Sequence, residues 1–275
     1  MKKKKITVIG CGKMGSTIMV SIKRNIKQFN IKGVDKDSKV RKRIEKEKKI
    51  KVYSSLDKTQ DSDIYILAVK PQDIDEVLKE LSEIVKNADK YKWIISIAAG
   101  ISSSRIRKYL KRNAGIVRVM PNTPALISEG MTVICEADSK SRQKRPKFVR
   151  KIFSTMGKTI NSKEEYMDLV TALSGSGPAY FFLLSELMEK YAREKNMDSY
   201  SARMLAAQTV IGAGKLMMHE IENKGKSFEQ LRKDVTSPGG TTEAALKYLK
   251  KKSFNQIFLQ GLKKAENRSK ELSGK

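Results

Sequence analysis

The hydrophobic positions follow two alternating periods in the first part of the chain and a single period in the rest. Ile6-Thr7-Val8-Ile9 is a short β-branched run ending in Gly10, which predicts a buried strand. Residues 15–27 carry Ile18, Ile22 and Ile26 at helical spacing, and Lys32-Gly33-Val34 then closes a second strand at Asp35. The run from Asp63 through Ile64, Tyr65, Ile66, Leu67 and Ala68 to Val69 predicts a third strand, stopped by Lys70-Pro71. An amphipathic helix over 74–85, a strand over 93–97 before the Gly100 turn, and a strand over 116–120 before Pro121 follow. Shorter strand candidates occupy 131–134 and 159–160. Strands alternating with helices over residues 1–160 predict an α/β fold: a Rossmann-type doubly wound, mainly parallel sheet, open to a ligand at its carboxyl ends.

Past about residue 160 the strands stop, and 161–275 reads as an all-helical domain. Helices are predicted over 178–194, 199–220, 228–235, 242–250 and 254–272. The second of these is apolar around much of its circumference and carries the small residues Ala206, Ala207, Gly212, Ala213 and Gly214. Such a helix demands burial on more than one side. A domain this small cannot supply that alone, so an obligate homodimer packed through the helical half is expected.

Charge complicates the picture and then recedes. The 57 Lys and Arg against 30 Asp and Glu leave a net charge of +27, which invites a nucleic-acid reading. Lysine outnumbers arginine several-fold, however, and no zinc-finger spacing, RNA-recognition aromatics or basic zipper accompanies the clusters. A lysine-rich surface is the expectation, without specific nucleic-acid binding. The longest apolar stretch, 93–101, is about half of the roughly 18 residues needed to span a bilayer. After the five-residue basic start, Ile6 to Ile9 is too short for the apolar region of a signal peptide. Cys11 and Cys135 make neither a disulfide framework nor a metal site. A cytoplasmic protein with no membrane segment and no metal is expected.

The first candidate chemistry is the glycine loop Gly10-Cys11-Gly12-Lys13-Met14-Gly15, a G-x-G-x-x-G that follows a strand and opens a helix. Gly10 permits a tight turn, Gly12 lets backbone approach a pyrophosphate, and Gly15 allows close helix–strand packing. Unpaired amides and the positive end of the helix dipole then bind the phosphates. Asp35 lies 20 residues after Gly15, where an acid accepts hydrogen bonds from an adenosine ribose and would repel a 2′-phosphate. Lys36, Lys39 and Arg41 follow at once and could instead hold that phosphate. NADP(H) and NAD(H) are both left open as cofactors.

Five further segments resemble one family. Ala68-Val69-Lys70-Pro71, Ser96-Ile97-Ala98-Ala99-Gly100-Ile101 and Met120-Pro121-Asn122-Thr123-Pro124 are similar to motifs of pyrroline-5-carboxylate reductase. So are Leu173-Ser174-Gly175-Ser176-Gly177-Pro178-Ala179-Tyr180 and Val235-Thr236-Ser237-Pro238-Gly239-Gly240-Thr241-Thr242. The order is the family's, nearly the whole chain is covered, and five of the six prolines fall inside these motifs. The resemblance implies the last step of proline biosynthesis, in which a nicotinamide cofactor gives hydride to the C=N carbon of 1-pyrroline-5-carboxylate. It further implies an interlocked helical dimer, in some members a larger ring of dimers, with substrate near the interface.

Such a transfer needs no nucleophile and no metal; it needs a positioned nicotinamide, a carboxylate clamp and a dry pocket. The segment Ser237, Pro238, Gly239, Gly240, Thr241 and Thr242 at a helix start offers free backbone amides as that clamp. Its bland alternative is a helix N-cap provided by Ser237 or Thr241. Resemblance places the substrate ring nitrogen beside the Thr242 hydroxyl, the one side chain assigned to catalysis. Ser174, Gly175, Ser176 and Gly177 break the helical pattern before Pro178 and are assigned by resemblance to substrate. Resemblance also puts the Ala68, Val69 and Lys70 backbone, Pro71 and the Ala98-Ala99 turn beside the nicotinamide, with Asn122 at a strand carboxyl end. Where relatives often have Ser, Thr or Asn followed by Arg after the second strand, this chain has Asp35-Lys36; where they often have Asn, spacing puts Ser55. Both departures lean towards dual use or NADH.

Two other readings compete with this one. The β-hydroxyacid dehydrogenases carry a catalytic lysine soon after a Gly-x-Gly turn, whereas this chain has no lysine between Gly177 and Lys190. A cofactor-sensing or nucleic-acid-binding regulator would use the same loop without turnover, and the intact 236–242 segment argues against it. His219, the only histidine, is expected on the surface or in packing, and Cys11 as a small packing residue whose oxidation could block the cofactor.

Overall fold

The computed structural model describes residues 3–110, 114–135 and 146–272; of the basic clusters, Lys2 and residues 142–145 lie outside these. The strands are β1 (Lys4–Ile9), β2 (Phe29–Val34), β3 (Val52–Tyr53), β4 (Ile64–Leu67), β5 (Lys92–Ser96), β6 (Ala114–Met120), β7 (Gly130–Cys135) and β8 (Gly157–Ser162). They form one sheet in the order β3-β2-β1-β4-β5-β6-β7-β8. Neighbours run parallel except β6 and β7. The chain steps from β1 to β2 and β3 on one side, then returns to β4 on the other. That reversal opens a crevice at the carboxyl ends of β1 and β4.

Helices α1 (Lys13–Asn25), α2 (Ser38–Lys48), α3 (Ile74–Lys86), α4 (Ser103–Leu110), α5 (Lys147–Phe153) and α6 (Met167–Val170) accompany the sheet. Ile6 and Val8 of β1 pack with Ile18, Met19 and Ile22 of α1 and Phe153 of α5. Ile9 and Leu67 join Leu78 and Leu81 of α3 and Ile106 and Leu110 of α4 in a second cluster. A strand covered on both faces reads as a continuous apolar run, which is why β1, β4, β5 and β6 were legible. Each such side chain contributes about 1.5–3 kcal/mol by leaving water.

The elements that periodicity missed have few buried apolar positions. Among the described residues α2 buries only Ile44; it begins at Asp37, whose carboxylate accepts from the Lys39 amide, and ends at Lys49 with φ +50°. α4 is held as much by polar groups: the Glu164 carboxylate accepts from the Ser103 amide at 2.7 Å and from Arg118 Nη1 at 3.0 Å. Arg118 is only 4% exposed, so this pair fixes the joint between β6, α4 and the segment after β8.

Packing divides the chain into two compact units, Met1–Ser176 with Ala265–Lys275, and Gly177–Lys264. The expected division at 160/161 follows the change of period; the division by packing follows contacts that period does not report. After α6 the backbone makes a π turn, Thr171–Gly175, in which the Ser176 amide donates to Thr171 O at 2.8 Å. Ser269 Oγ donates to the buried Asp168 carboxylate at 2.8 Å. A Cβ on Gly100, which has φ +70°, would lie 2.7 Å from Leu272 Cβ.

The second unit holds α7 (Gly177–Glu194), α8 (Ser199–Lys224), α9 (Phe228–Asp234), α10 (Thr241–Lys251) and the start of α11 (Phe254–Leu272). α8 is capped by Asp198, which accepts from the Ser201 amide, and ends at Gly225 with φ +63°. Tyr180 and Phe258 meet edge to face at 5.7 Å. Within α7 and α8 only Gly177, Ala202, Ala206 and Glu220 are buried, while Phe182, Leu205 and Leu216 stand 67%, 56% and 51% exposed.

Candidate active site

The glycine loop separates three different reasons for having glycine. Gly10 has φ +88°, and a Cβ there would lie 2.7 Å from the Ala68 carbonyl oxygen. A Cβ on Gly15 would lie 1.9 Å from the Gly10 oxygen, so α1 approaches the loop as only glycine allows. Gly12 is exposed, has φ −63°, and a Cβ on it would meet no protein atom within 4 Å. Nothing in the protein requires glycine at Gly12. Glycine there leaves the backbone at the first turn of α1 open to an approaching ligand. That is how the residues present fit a dinucleotide pyrophosphate. Lys13, at the first position of α1, is exposed, and Met14 packs beneath against the core.

The loop after β2 is organised by Asp35. Its Oδ2 accepts from the Cys11 amide at 2.7 Å and its Oδ1 from the Asp37 amide at 2.9 Å. Asp35 therefore ties the glycine loop to the start of α2, beyond the ribose-reading role expected of it. Arg41 Nη1 donates to the carbonyls of Asp35 and Lys36 at 3.0 and 2.9 Å. Lys36 pairs with Asp73 at 3.1 Å. Ser55, exposed after β3, donates its hydroxyl to Asp57; that bond, ahead of the Lys58 ammonium, holds the Asp57 carboxyl below its usual range.

The rest of the crevice in the first unit follows the strand ends. Ala68, Val69, Lys70 and Pro71 leave β4, with the Ala68 amide donating to Ile9 O at 2.8 Å. Ala98 and Ala99 follow β5, with Ala98 buried, and Gly100 turns the chain against the end of α11. Asn122, after β6, accepts from the Met131 amide at 2.8 Å and donates to Ser174 Oγ at 3.4 Å. A Cβ on Gly175 would lie 2.5 Å from Met120 Cε. The structure thus brings Ser174, Gly175 and Ser176 to the end of β6, on a π turn rather than in the break expected from the sequence. Such turns recur at functional sites.

Gly177 and the segment from Ser237 to Thr242 belong to the second unit. Gly240 is the N-cap of α10 and brings no side chain to its first amides. Neither Ser237 nor Thr241 caps that helix, so the N-cap alternative is set aside: the Ser237 carbonyl instead accepts from the Gly240 amide at 3.0 Å. Gly239 has φ +71°, and its amide donates to Glu243 Oε2 at 2.9 Å. That amide, ahead of Lys247, holds the Glu243 carboxyl below its usual range. Thr242 is half-buried in the first turn of α10.

Sequence reasoning missed Glu243, although an acid three residues after a helix start is a capping signal. It also missed Asp73 and the Arg118–Glu164 pair, which carry no local pattern. His219 is exposed and accepts or donates only towards Asn223. Cys11 is fully buried; burial, then the Asp35 carboxylate, pushes its thiol up to about 12. Its side chain therefore packs, and only its backbone reaches the loop.

A mainly parallel sheet with a switch point, an α1 N-terminus left open by Gly12 and an acid closing β2 define a dinucleotide-binding protein of the Rossmann class. Residues 5–100 match the family model described as NADP oxidoreductase coenzyme F420-dependent, and residues 164–272 match pyrroline-5-carboxylate reductase dimerisation. Pyrroline-5-carboxylate reductase 1 of Bacillus subtilis is 35% identical over 98% of this chain and 90% of its own. The enzyme of Methanosarcina acetivorans is 38% identical over 100% of both chains. The crystal structure of Plasmodium falciparum pyrroline carboxylate reductase with NADP bound superposes with a TM-score of 0.85, at 27% identity and 99% coverage of both chains. The chain belongs to the pyrroline-5-carboxylate reductase family. Among the described residues no helix is long and apolar enough to cross a membrane.

Proposed function

We propose that this protein reduces 1-pyrroline-5-carboxylate to L-proline with NADPH or NADH, the last step of proline biosynthesis. The observation that carries the reading is the bare backbone at Gly12, where the start of α1 stands open beside the close-packed Gly10 and Gly15 to take a pyrophosphate. The nicotinamide, when bound, supplies the hydride for the imine carbon, and a proton completes the amine. The chain's own residues bind, orient and exclude water. Gly10 to Gly15 hold the pyrophosphate, Asp35, Lys36 and Ser55 face the adenosine, and Ala68 to Pro71, Ala98, Ala99 and Asn122 hold the nicotinamide half. Ser174 to Gly177 and the segment from Ser237 to Thr242 take the substrate, with the backbone amides of Thr241 and Thr242 in the first turn of α10 as the carboxylate clamp. Thr242 places its hydroxyl at the ring nitrogen. Each role in this assignment is supported by position at a strand or helix end and by family membership.

We assign the dinucleotide-binding domain to residues 1–160 and the substrate and dimerisation domain to 161–275. The exposed apolar faces of α7 and α8 support a homodimer, on which a larger ring of dimers would build. The cytoplasm is the compartment of such a biosynthetic enzyme. The test is a turnover assay: purified protein should oxidise NADPH or NADH only after pyrroline-5-carboxylate is added. No turnover with either cofactor overturns the reading.

A further inference from the structure

Lys36 and Asp73 stand on opposite lips of the crevice. Lys36 follows β2, and Asp73 ends the single turn Pro71–Asp73 that follows β4. Those two strands flank β1 in the sheet. The ion pair from Lys36 Nζ to Asp73 Oδ1, at 3.1 Å, therefore bridges the carboxyl end of β1 beside the glycine loop. An adenosine ribose read at the end of β2 lies at this bridge. The Asp73 carboxylate holds the Lys36 ammonium and raises its pKa. Lys36 is 77% exposed, so the bridge is weak and exchangeable.

Of the neighbouring groups, Arg41 and Asp35 are committed elsewhere. Arg41 spends Nη1 on two carbonyls of its own loop, and both Asp35 oxygens accept backbone amides. Replacing Asp35 would thus disturb the loop as well as the ribose. Lys36 is left as a cation that can change partner, and a 2′-phosphate is the stronger partner for it.

We propose that Asp73 is a positioning residue that sets the balance between NADPH and NADH by competing with the adenosine 2′-phosphate for Lys36. This rests on the dinucleotide reading above. NADPH must draw Lys36 from Asp73 and approach the Asp73 charge; NADH, with a hydroxyl there, gains nothing from Lys36. Both effects of the carboxylate act in the same direction, against NADPH.

The test is direct titration of NADPH, NADH and adenosine 2′,5′-bisphosphate on the full chain, by calorimetry, with kcat/KM for both cofactors alongside. Asp73→Asn should tighten NADPH and the bisphosphate by about two- to five-fold and leave NADH unmoved. Lys36→Gln should weaken NADPH, and in that background the Asp73→Asn gain should shrink. Equal effects on both dinucleotides, no effect on either, or a full gain without Lys36 overturns the proposal. Wild-type protein that binds neither dinucleotide overturns the cofactor reading instead.

Discussion

In the sheet-bearing unit Ile64, Tyr65, Ile66 and Leu67 are completely buried, as are Ile18, Ile22, Leu78 and Leu81 on the helices above and below. In the helical unit the largest apolar side chains face outward: Phe182, Tyr191, Leu205 and Leu216 are all more than half exposed. The two regions draw on the same residue types. The first closes its core with its own chain, and the second, which the pyrroline-5-carboxylate reductase dimerisation model matches, leaves an apolar face open. An apolar face of this kind marks an association surface, so the difference separates a region that packs by itself from one shaped for a partner.

The strongest way to break that comparison is to charge the open face. Phe182→Glu with Leu205→Glu should cost assembly about 4 kcal/mol or more, because both charges would be buried on association. Light scattering should then report a single chain and turnover should collapse; an unaltered mass would mean that these faces are not the interface. Next come the two glycines of the closed unit. Gly15→Ala, with its Cβ 1.9 Å from the Gly10 oxygen, should lower stability by about 3 kcal/mol or more in denaturant melts. Gly12→Ala should leave stability unchanged and weaken dinucleotide binding about ten-fold or more. Equal stability losses would show that Gly12 is needed by the fold and not by a ligand.

Thr242→Ala should cost about 1.5–3 kcal/mol of transition-state stabilisation, and a wild-type kcat/KM would remove its catalytic role. Glu164→Ala leaves Arg118 buried without its partner and should lower stability by about 2 kcal/mol, discounted because Glu164 is a third exposed. An unshifted melting curve would show that Arg118 is satisfied otherwise. The smallest effect concerns Cys11. The folded thiol holds its proton up to about pH 12 and the unfolded one releases it from about 9.0. Its contribution is therefore full below pH 9 and is lost as the pH rises towards 12. Cys11→Ala should flatten the stability profile in that window only, and wild-type Cys11 should resist maleimide at neutral pH. Rapid labelling would sink the packing role.

How much of this was legible depends on whether a feature has a period. The strands from β1 to β6 with both faces covered, and the long helices, declare themselves in runs and repeats. β3, two residues long, and α2, with one buried residue, do not. The glycine loop was legible because its spacing encodes geometry directly. The π turn at Thr171–Gly175 was not, since one inserted residue leaves no compositional mark. Asp73 and Glu164 escaped for another reason: each acts across the sheet, on partners 37 and 46 residues away. The helix that became α8 was expected to be apolar around much of its circumference, but its exposure in a single chain could come only from the structure.

The end of α11 returns to the sheet-bearing unit, where Ser269 reaches Asp168 and Leu272 lies against Gly100. In the order of synthesis the helical segment is therefore an insertion in a host that closes last. A chain on the ribosome can lay down β1 to β8 early, but the seat for residues 265–272 stays empty until residue 272 has emerged. Folding of that unit therefore waits for the residues that follow the helical insertion.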